Sequence, residues 1–403
     1  MTPARRTVGL ILFLAVASIG RALAFELGDE LHLDGFVDGR LIEPGSEKSW
    51  IKGGFGKLRY GSGGFEANAG GIVLVPWAQI TPALIGVVDL RYDPGQRDIF
   101  GVDEAYLRYR PVSTTPWRWS VKAGAFFPPI SLENDAVGWT SPWTITPSAI
   151  NSWVGEELRT IGVEPRLEWR GEAGTLTATA ATFGAASKAG TLLADGGWNL
   201  SDVITPLGGR VRLPSAWGAA RSSRVFDEVD NRVGWYAGAS WRMPEWGELS
   251  LLRYDNDADL DASVTNKPWR TRFWSLGAKT GIDEFTILAQ GMLGDTSVAY
   301  EPEESTTTRF YAAYLLVGWQ RGDWRIAGRV DRFGTGNDGG DSDDIKTEHG
   351  LAETLAVTWR PRDWLRLTGE ALRVDSTRAQ RLTQGLARRS VDDQFQASAR
   401  LFF

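Results

Sequence analysis

Strict alternation of apolar and polar positions is the plainest pattern along the chain. Residues 117–127 put Trp117, Trp119, Val121, Ala123, Ala125 and Phe127 on one face and Arg118, Ser120, Lys122 and Gly124 on the other. Residues 391–403 repeat it, with Phe395, Ala397, Ala399, Leu401 and Phe403 against Gln394, Gln396, Ser398 and Arg400. A period of two is that of a strand with one apolar and one polar face. The same period predicts strands over 31–41, 69–77, 83–92, 99–110, 156–169 and 174–185. From residue 231 it becomes regular, with strands near 231–243, 248–256, 270–280, 283–292, 306–320, 323–333, 347–360 and 363–374. A further segment, 51–60, alternates only loosely. The expected class is all-β.

The connections alternate in length. MPE, GID, RGD and PRD are short; 257–269, 293–305, 334–346 and 375–390 are long, and 128–155 and 186–230 are longer still, the latter with room for a short hairpin. Trp241 and Trp246, Trp319 and Trp324, and Trp359 and Trp364 each sit five residues apart across a short turn. Each pair places two indoles at one depth, as in the aromatic girdle of a transmembrane barrel. A single-chain bacterial barrel has an even strand number, with short turns on the periplasmic side and long loops outside. Counting back from Phe403 removes 51–60 as the weakest segment. The expected fold is thus a transmembrane antiparallel β-barrel of about 16 strands (18 if an amino-terminal strand is missed), with periplasmic termini.

Residues 1–24, MTPARRTVGLILFLAVASIGRALA, have a positive start at Arg5 and Arg6, an apolar run from Val8 to Ile19 and the small-x-small triplet Ala22-Leu23-Ala24. This predicts a signal peptide, leaving residues 25–403 as the barrel. Removing it leaves 41 basic against 50 acidic residues, a formal charge near −9, which argues against nucleic-acid binding. There is no cysteine for disulfides or a lipid anchor. With the signal set aside, no apolar run is long enough for a membrane helix.

The strand ending on Phe403 with nothing polar beyond it resembles the last strand of Gram-negative outer-membrane β-barrel proteins. That resemblance implies recognition of Phe403 by the barrel-assembly machinery. The stretch from IFGVDEAYLRYR through SVKAGAFFPPISLEN to NSWVGEELRTIG, residues 99–163, is loosely similar to the phosphate- and anion-selective porin group. It implies a preference for anions, against which the net negative charge weighs.

Residues alternating away from lipid face the lumen. The expected pore-lining set is Glu104, Arg108, Arg110, Arg118, Lys122, Arg166, Glu168, Arg325, Arg329, Asp331, Arg366, Thr368, Glu370 and Arg400. Loop 128–155 is the expected constriction, with Glu133 and Asp135 opposite the arginines. Trp139, Trp143 and Trp153 either stack solutes or, the favoured reading, pin the loop to the wall. Asp255, Asp257, Asp259 and Asp261 match a calcium loop poorly, since Leu260 and Asn266 stand where glycine and glutamate belong. They and NDGGDSDD at 337–344 read as solvated loops. Arg378, Arg381, Arg388 and Arg389 are expected to face outward toward lipopolysaccharide phosphates.

These features predict an outer-membrane diffusion channel for small polar or charged solutes, without cofactor or metal, in contact with outer-membrane lipid and arranged as a homotrimer on porin analogy. The rivals are a loop-plugged structural or surface-binding barrel and, less favoured, a membrane-embedded hydrolase. His32 and His349 have no nearby Ser/Asp signature, and no G-x-S-x-G elbow occurs.

Overall fold

A computed structural model describes residues 31–213, 221–262, 267–301, 304–337 and 345–403. The predicted signal peptide, residues 338–344 and Asn266 lie outside these. The chain forms β1 (Leu31–Glu43), β2 (Glu66–Thr81), β3 (Leu84–Tyr92), β4 (Phe100–Tyr109), β5 (Trp117–Phe126), β6 (Thr160–Gly171), β7 (Gly174–Gly184), β8 (Arg210–Leu213), β9 (Arg221–Arg224), β10 (Gly234–Met243), β11 (Gly247–Asp255), β12 (Arg270–Ile282), β13 (Phe285–Glu301), β14 (Glu304–Arg321), β15 (Trp324–Asn337), β16 (Glu348–Arg362), β17 (Leu365–Arg378) and β18 (Arg389–Phe402). Two helices, α1 (Ala149–Glu157) and α2 (Thr191–Gly196), lie in the long connections.

Sixteen of these strands close an antiparallel barrel; β8 and β9 make a separate hairpin. Closure is made by β1 against β18, where Asp38 pairs with Arg400 and Phe36 with Phe402. The Phe403 carbonyl accepts from the Gly35 N–H at 3.1 Å and its own N–H donates to Gly35 at 3.2 Å. Both ends of the described chain therefore meet at the short-turn rim. No edge remains unpaired, which is what permits a sheet to sit in lipid.

Side chains alternate as the sequence requires. Along β18, Phe395 and Ala397 are exposed on the outer face while Asp392, Gln394, Gln396 and Ser398 are buried inside. Trp241, Trp246, Trp324, Trp359 and Trp364 are exposed on the outside near the short turns. Trp324 and Trp359 stack across the β15–β16 ladder with ring centroids 5.9 Å apart, and the Trp319 indole donates to Glu284 at 2.8 Å.

Several boundaries differ from expectation. Residues 51–60 form no strand, only a 3₁₀ turn at Trp50–Lys52, because the segment packs inward instead of joining the wall. Residues 293–305 are not a loop: β13 and β14 pair as far as Glu301 and Glu304. Above the lipid band the outward positions turn polar, as at Asp295 and Arg309, and the inner face packs on the inner loops, as at Thr296 and Val298, so the alternation that marks a strand fades. β15 and β17 outrun their predicted ends for the same reason. β6 begins at Thr160, since residues 149–157 are helical.

Candidate functional site

Three long connections fold inside the barrel: residues 44–65, 127–159 and 185–209. Their apolar side chains build a core with inward residues of the wall. Leu58, Ile130, Ile150, Trp153, Val154, Leu193, Trp198 and Leu200 are buried with Phe183, Tyr254, Phe273, Phe310 and Phe333 from the strands. A barrel of this strand number is too wide for wall side chains alone to fill; here the loops fill much of it.

Loop 127–159 is fixed by one buried ionic cluster. Arg329 on β15 binds Glu133 and Asp331, each at 2.7 Å, and donates to the Thr146 and Pro147 carbonyls at 2.8 and 3.0 Å. Asp331 also accepts from the Ala149 N–H at 3.0 Å, and Glu370 on β17 from the Ile145 N–H at 2.6 Å. The α1 N-cap, Ser148, takes the Asn151 N–H and gives its own N–H to Glu133. Such a cap typically stabilises a helix by about 1 kcal/mol.

Expected pore residues are therefore divided. Arg329, Asp331 and Glu370 are buried under the loop instead of facing water, and Glu133 bonds Arg329 directly instead of opposing it across the lumen. Arg400 is buried against Asp38 at 3.0 Å. Thr368 is buried and shares a hydrogen bond with Thr358. Arg325 donates to the Pro142 carbonyl at 3.2 Å and covers Trp143. Arg366 lies over the Phe402 ring. Asp135 pairs with Lys279 at 2.8 Å.

The opposite wall, β4 to β6, keeps water contact. The Arg166 side chain is 41% exposed, Lys122 21% and Glu168 16%. Arg108 and Arg118 are half-buried and Arg110 is exposed. Glu104 is turned to the loop, accepting from the Phe127 N–H at 2.8 Å.

The tryptophans act as pins. Trp153 is 3% exposed, packed edge-on to Trp198 and Phe273. Trp139 stacks flat on Phe127 at 4.1 Å. Trp143 lies on Gly318, where a Cβ would overlap its ring. No stacking face is left on Trp153 for a solute.

Two further charge networks tie the other loops to the wall. Arg400, Asp38, Arg40, Asp202, Arg59 and Asp93 form an alternating chain, with Arg40 at 2.6 Å and Arg59 at 2.8 Å from Asp202. Burial alone would raise the Asp202 carboxyl, but Arg40 and Arg59 hold it well below the usual carboxylate range. Glu348 binds Lys57 at 2.7 Å and Arg378 at 2.8 Å. Gly197, at φ +73°, sits where a Cβ would overlap the Glu348 carboxylate. Burial pushes the Lys57 ammonium down to about 8, with Glu348 opposing part of that. Arg378 and Arg381 are thus buried, not turned to lipid; Arg381 holds Glu47 at 2.8 Å. Arg389 pairs with Asp375 at 2.7 Å.

Between the inner loops, burial pushes Glu156 up to about 8 and Glu157 to about 7, although Asn199 and Ser201 bond the first and the Leu192 N–H and Trp153 indole the second. The sequence carried a signal for Asp38 and Arg40, which share the polar face of β1. Asp202 lies in an aperiodic stretch and Lys57 in the loosely alternating 51–60, while Glu156 and Glu157, placed by the pattern at the start of a strand, 156–169, instead end α1.

His32 stacks on Trp77 and His349 lies 3.5 Å from the Tyr311 hydroxyl, at opposite ends of the barrel. Asp255 pairs with Arg270 at 3.2 Å.

No protein-family model matches the chain, and no curated protein matches it. Solved structures do. The outer membrane channel DcaP of Acinetobacter baumannii aligns with a TM-score of 0.57 at 12% identity, over 94% of this chain and 99% of that one. OmpT of Vibrio cholerae, an outer membrane protein folded in vitro and in trimer form, gives 0.53 at 10% identity over 93% and 100%. OmpF of Salmonella typhi gives 0.53 at 12% over 93% and 97%. Identities this low speak for architecture alone. The closed sixteen-stranded antiparallel barrel is an outer-membrane porin and channel fold.

Proposed function

We propose that the chain is an outer-membrane diffusion channel for small polar or charged solutes, exported by the signal peptide 1–24 and inserted with its short turns on the periplasmic side. The observation that carries this is the asymmetry of the interior. Arg108, Arg118, Lys122 and Arg166 on β4–β6 keep water contact, while Arg329, Asp331 and Glu370 on β15 and β17 are sealed under loop 127–159. A polar, hydrated wall facing a fixed loop is what passes small hydrophilic solutes and resists apolar ones. The exposed Trp241, Trp246, Trp324, Trp359 and Trp364, with Trp319, are then the periplasmic aromatic girdle, and Phe403 the assembly signal. Lipid and lipopolysaccharide surround the barrel, and a homotrimer follows on the likeness to OmpT.

A second reading, a loop-plugged barrel, is favoured by the apolar core that the three loops form inside the wall. Single-channel recording of the refolded mature protein in a planar bilayer separates the two. Discrete long-lived steps are expected, with Arg108→Gln and Arg118→Gln shifting the reversal potential in a salt gradient. Silence from a folded barrel would favour the plug; steps with unchanged selectivity would remove the two arginines from the path.

A further inference from the structure

The connection between β7 and β10 carries a charge pattern that the barrel does not use. Residues 203–226 hold four arginines, at 210, 212, 221 and 224, and no Asp, Glu or Lys, in a chain of formal net charge −6. In the β8–β9 hairpin Arg210 pairs with Arg224 and Arg212 with Ser222. Directly paired residues, and residues two apart on one strand, point to the same side. Arg210, Arg212, Ser222 and Arg224 therefore share one face, and all four are exposed. On the other face Val211 and Leu213 pack on Trp50, Leu192 and Val203 of the inner loops. The Arg210 N–H donates to Asp98 of the β3–β4 connection at 2.8 Å, which brings exposed Arg97 to the border of the same patch. Among the described residues no ion pair reaches Arg97, Arg210, Arg212 or Arg224.

Like charges directly opposite one another destabilise a strand pair, and a lone two-stranded hairpin is marginal in water. Here the apolar underside holds the strands, and the upper face keeps the repulsion. Arg210 and Arg212 stand about 7 Å apart along the strand, with Arg224 about 5 Å across from Arg210. This is an open, flat row of charges without enclosing walls, which suits a chain bearing one anion after another better than a single small ion. Guanidinium forks match carboxylate oxygens in a bidentate geometry, and the Ser222 hydroxyl can both donate and accept, as sugar hydroxyls require. No described residue on this face carries an aromatic ring, whereas single-stranded nucleic acid is held largely by stacking on such rings. The hairpin stands on the inner loops and not on the lipid-facing wall, which sets it apart from the phosphates of surrounding lipopolysaccharide.

We propose that the upper face of this hairpin is a docking surface for an acidic polysaccharide, a polymer whose sugars carry carboxylates. Arg210, Arg212 and Arg224 hold successive carboxylates of one polymer chain, and the packed underside keeps them in place. The assignment goes beyond the channel reading and needs no current to pass.

Binding of the folded, detergent-solubilised mature protein to immobilised polygalacturonate, read by biolayer interferometry, tests it. Neutral dextran, a thymidine oligonucleotide and monomeric galacturonate are the other probes. Saturable binding to polygalacturonate that weakens with added salt is expected, with none to dextran. Monomeric galacturonate at equal sugar concentration should not displace the polymer, because one chain makes several linked contacts. Arg210→Gln, Arg212→Gln and Arg224→Gln should each weaken binding roughly threefold, and together roughly tenfold or more; the corresponding triple Lys variant should retain more affinity than the triple Gln variant. Arg389→Gln, at the same end of the barrel but paired with Asp375, should leave binding unchanged. Unchanged binding by the triple Gln variant, equal binding to dextran, or tighter binding to the oligonucleotide would each overturn the surface. Binding by a protein that stays silent in a bilayer would sink the channel and keep the surface; conduction without binding would do the reverse.

Discussion

Arg329 shows what a single inward charge does here. Its guanidinium, with no solvent contact, meets two carboxylates and two loop carbonyls. Removing one partner of such a cluster strands the rest, at a cost of about 3–5 kcal/mol. Arg329→Ala should therefore release loop 127–159, seen as protease cleavage between 133 and 148 in a barrel that still closes; an intact loop would show the apolar core alone suffices. Its inward direction was legible from the β15 alternation. Asp331 shares that alternation, and Glu133 lies on the loop expected to fold inward opposite the arginines; their direct contact with Arg329 was not legible, because the period of a strand carries no information about which loop residue lies above it. Titration of the loop groups is another residue-scale effect. Glu156 and Glu157 have folded values of about 8 and 7, above their unfolded ones, so the folded loops bind the proton more tightly. Their contribution is full in acid and is lost as pH rises through about 7 to 8. Lys57 is shifted the other way, to about 8, so its penalty is removed between about 8 and its unfolded value. Loop docking should be weakest near pH 8. The denaturant midpoint for loop release at pH 6, 8 and 10 checks this, and Glu156→Gln with Glu157→Gln should flatten the acid side only.

Among the elements, the strands were readable and the inner helices were not. Sixteen barrel strands follow from period two because each outer face must meet lipid for the whole width of the membrane. Where β13 and β14 rise beyond it, outward residues such as Asp295 and Arg309 lose that constraint, and the segment reads as a loop. α2 is six residues, below the length at which helical periodicity shows, and it holds its place through Glu157 on the Leu192 and Leu193 N–H groups and through Lys57 on the Gly196 carbonyl. Gly197 ends it in a left-handed conformation pressed against Glu348. Gly197→Ala combines an unfavourable φ with overlap at a fixed carboxylate, where backbone strain alone is about 1–3 kcal/mol. It should detach α2 and lower the midpoint for loop release without changing the barrel's own unfolding. A single unchanged transition would mean the Glu348 side chain moves aside freely.

For the molecule as a whole, two structures share one chain: a wall held by its hydrogen-bond ladder, and an inner body held by burial and ion pairs. The ladder closes through β1 and β18 and through β7 and β10, whose pairing runs from Gly234 with Phe183 to Arg242 with Thr175. None of these bonds passes through residues 187–230. Replacing that stretch by a short Gly/Ser linker joins two neighbouring strand ends and leaves the wall's bonding complete. It also removes Asp202, the acid between Arg40 and Arg59, and Trp198 and Leu200 from the inner core. The variant should still close its barrel, read as the β-sheet circular dichroism of the full chain, and conduct several-fold more current than the full chain. If current does not rise, loops 44–65 and 127–159 set the resistance, and the low point of the path lies under Arg329. Should the barrel fail to close, the inner body is part of the folding core, and wall and loops cannot be treated as separable.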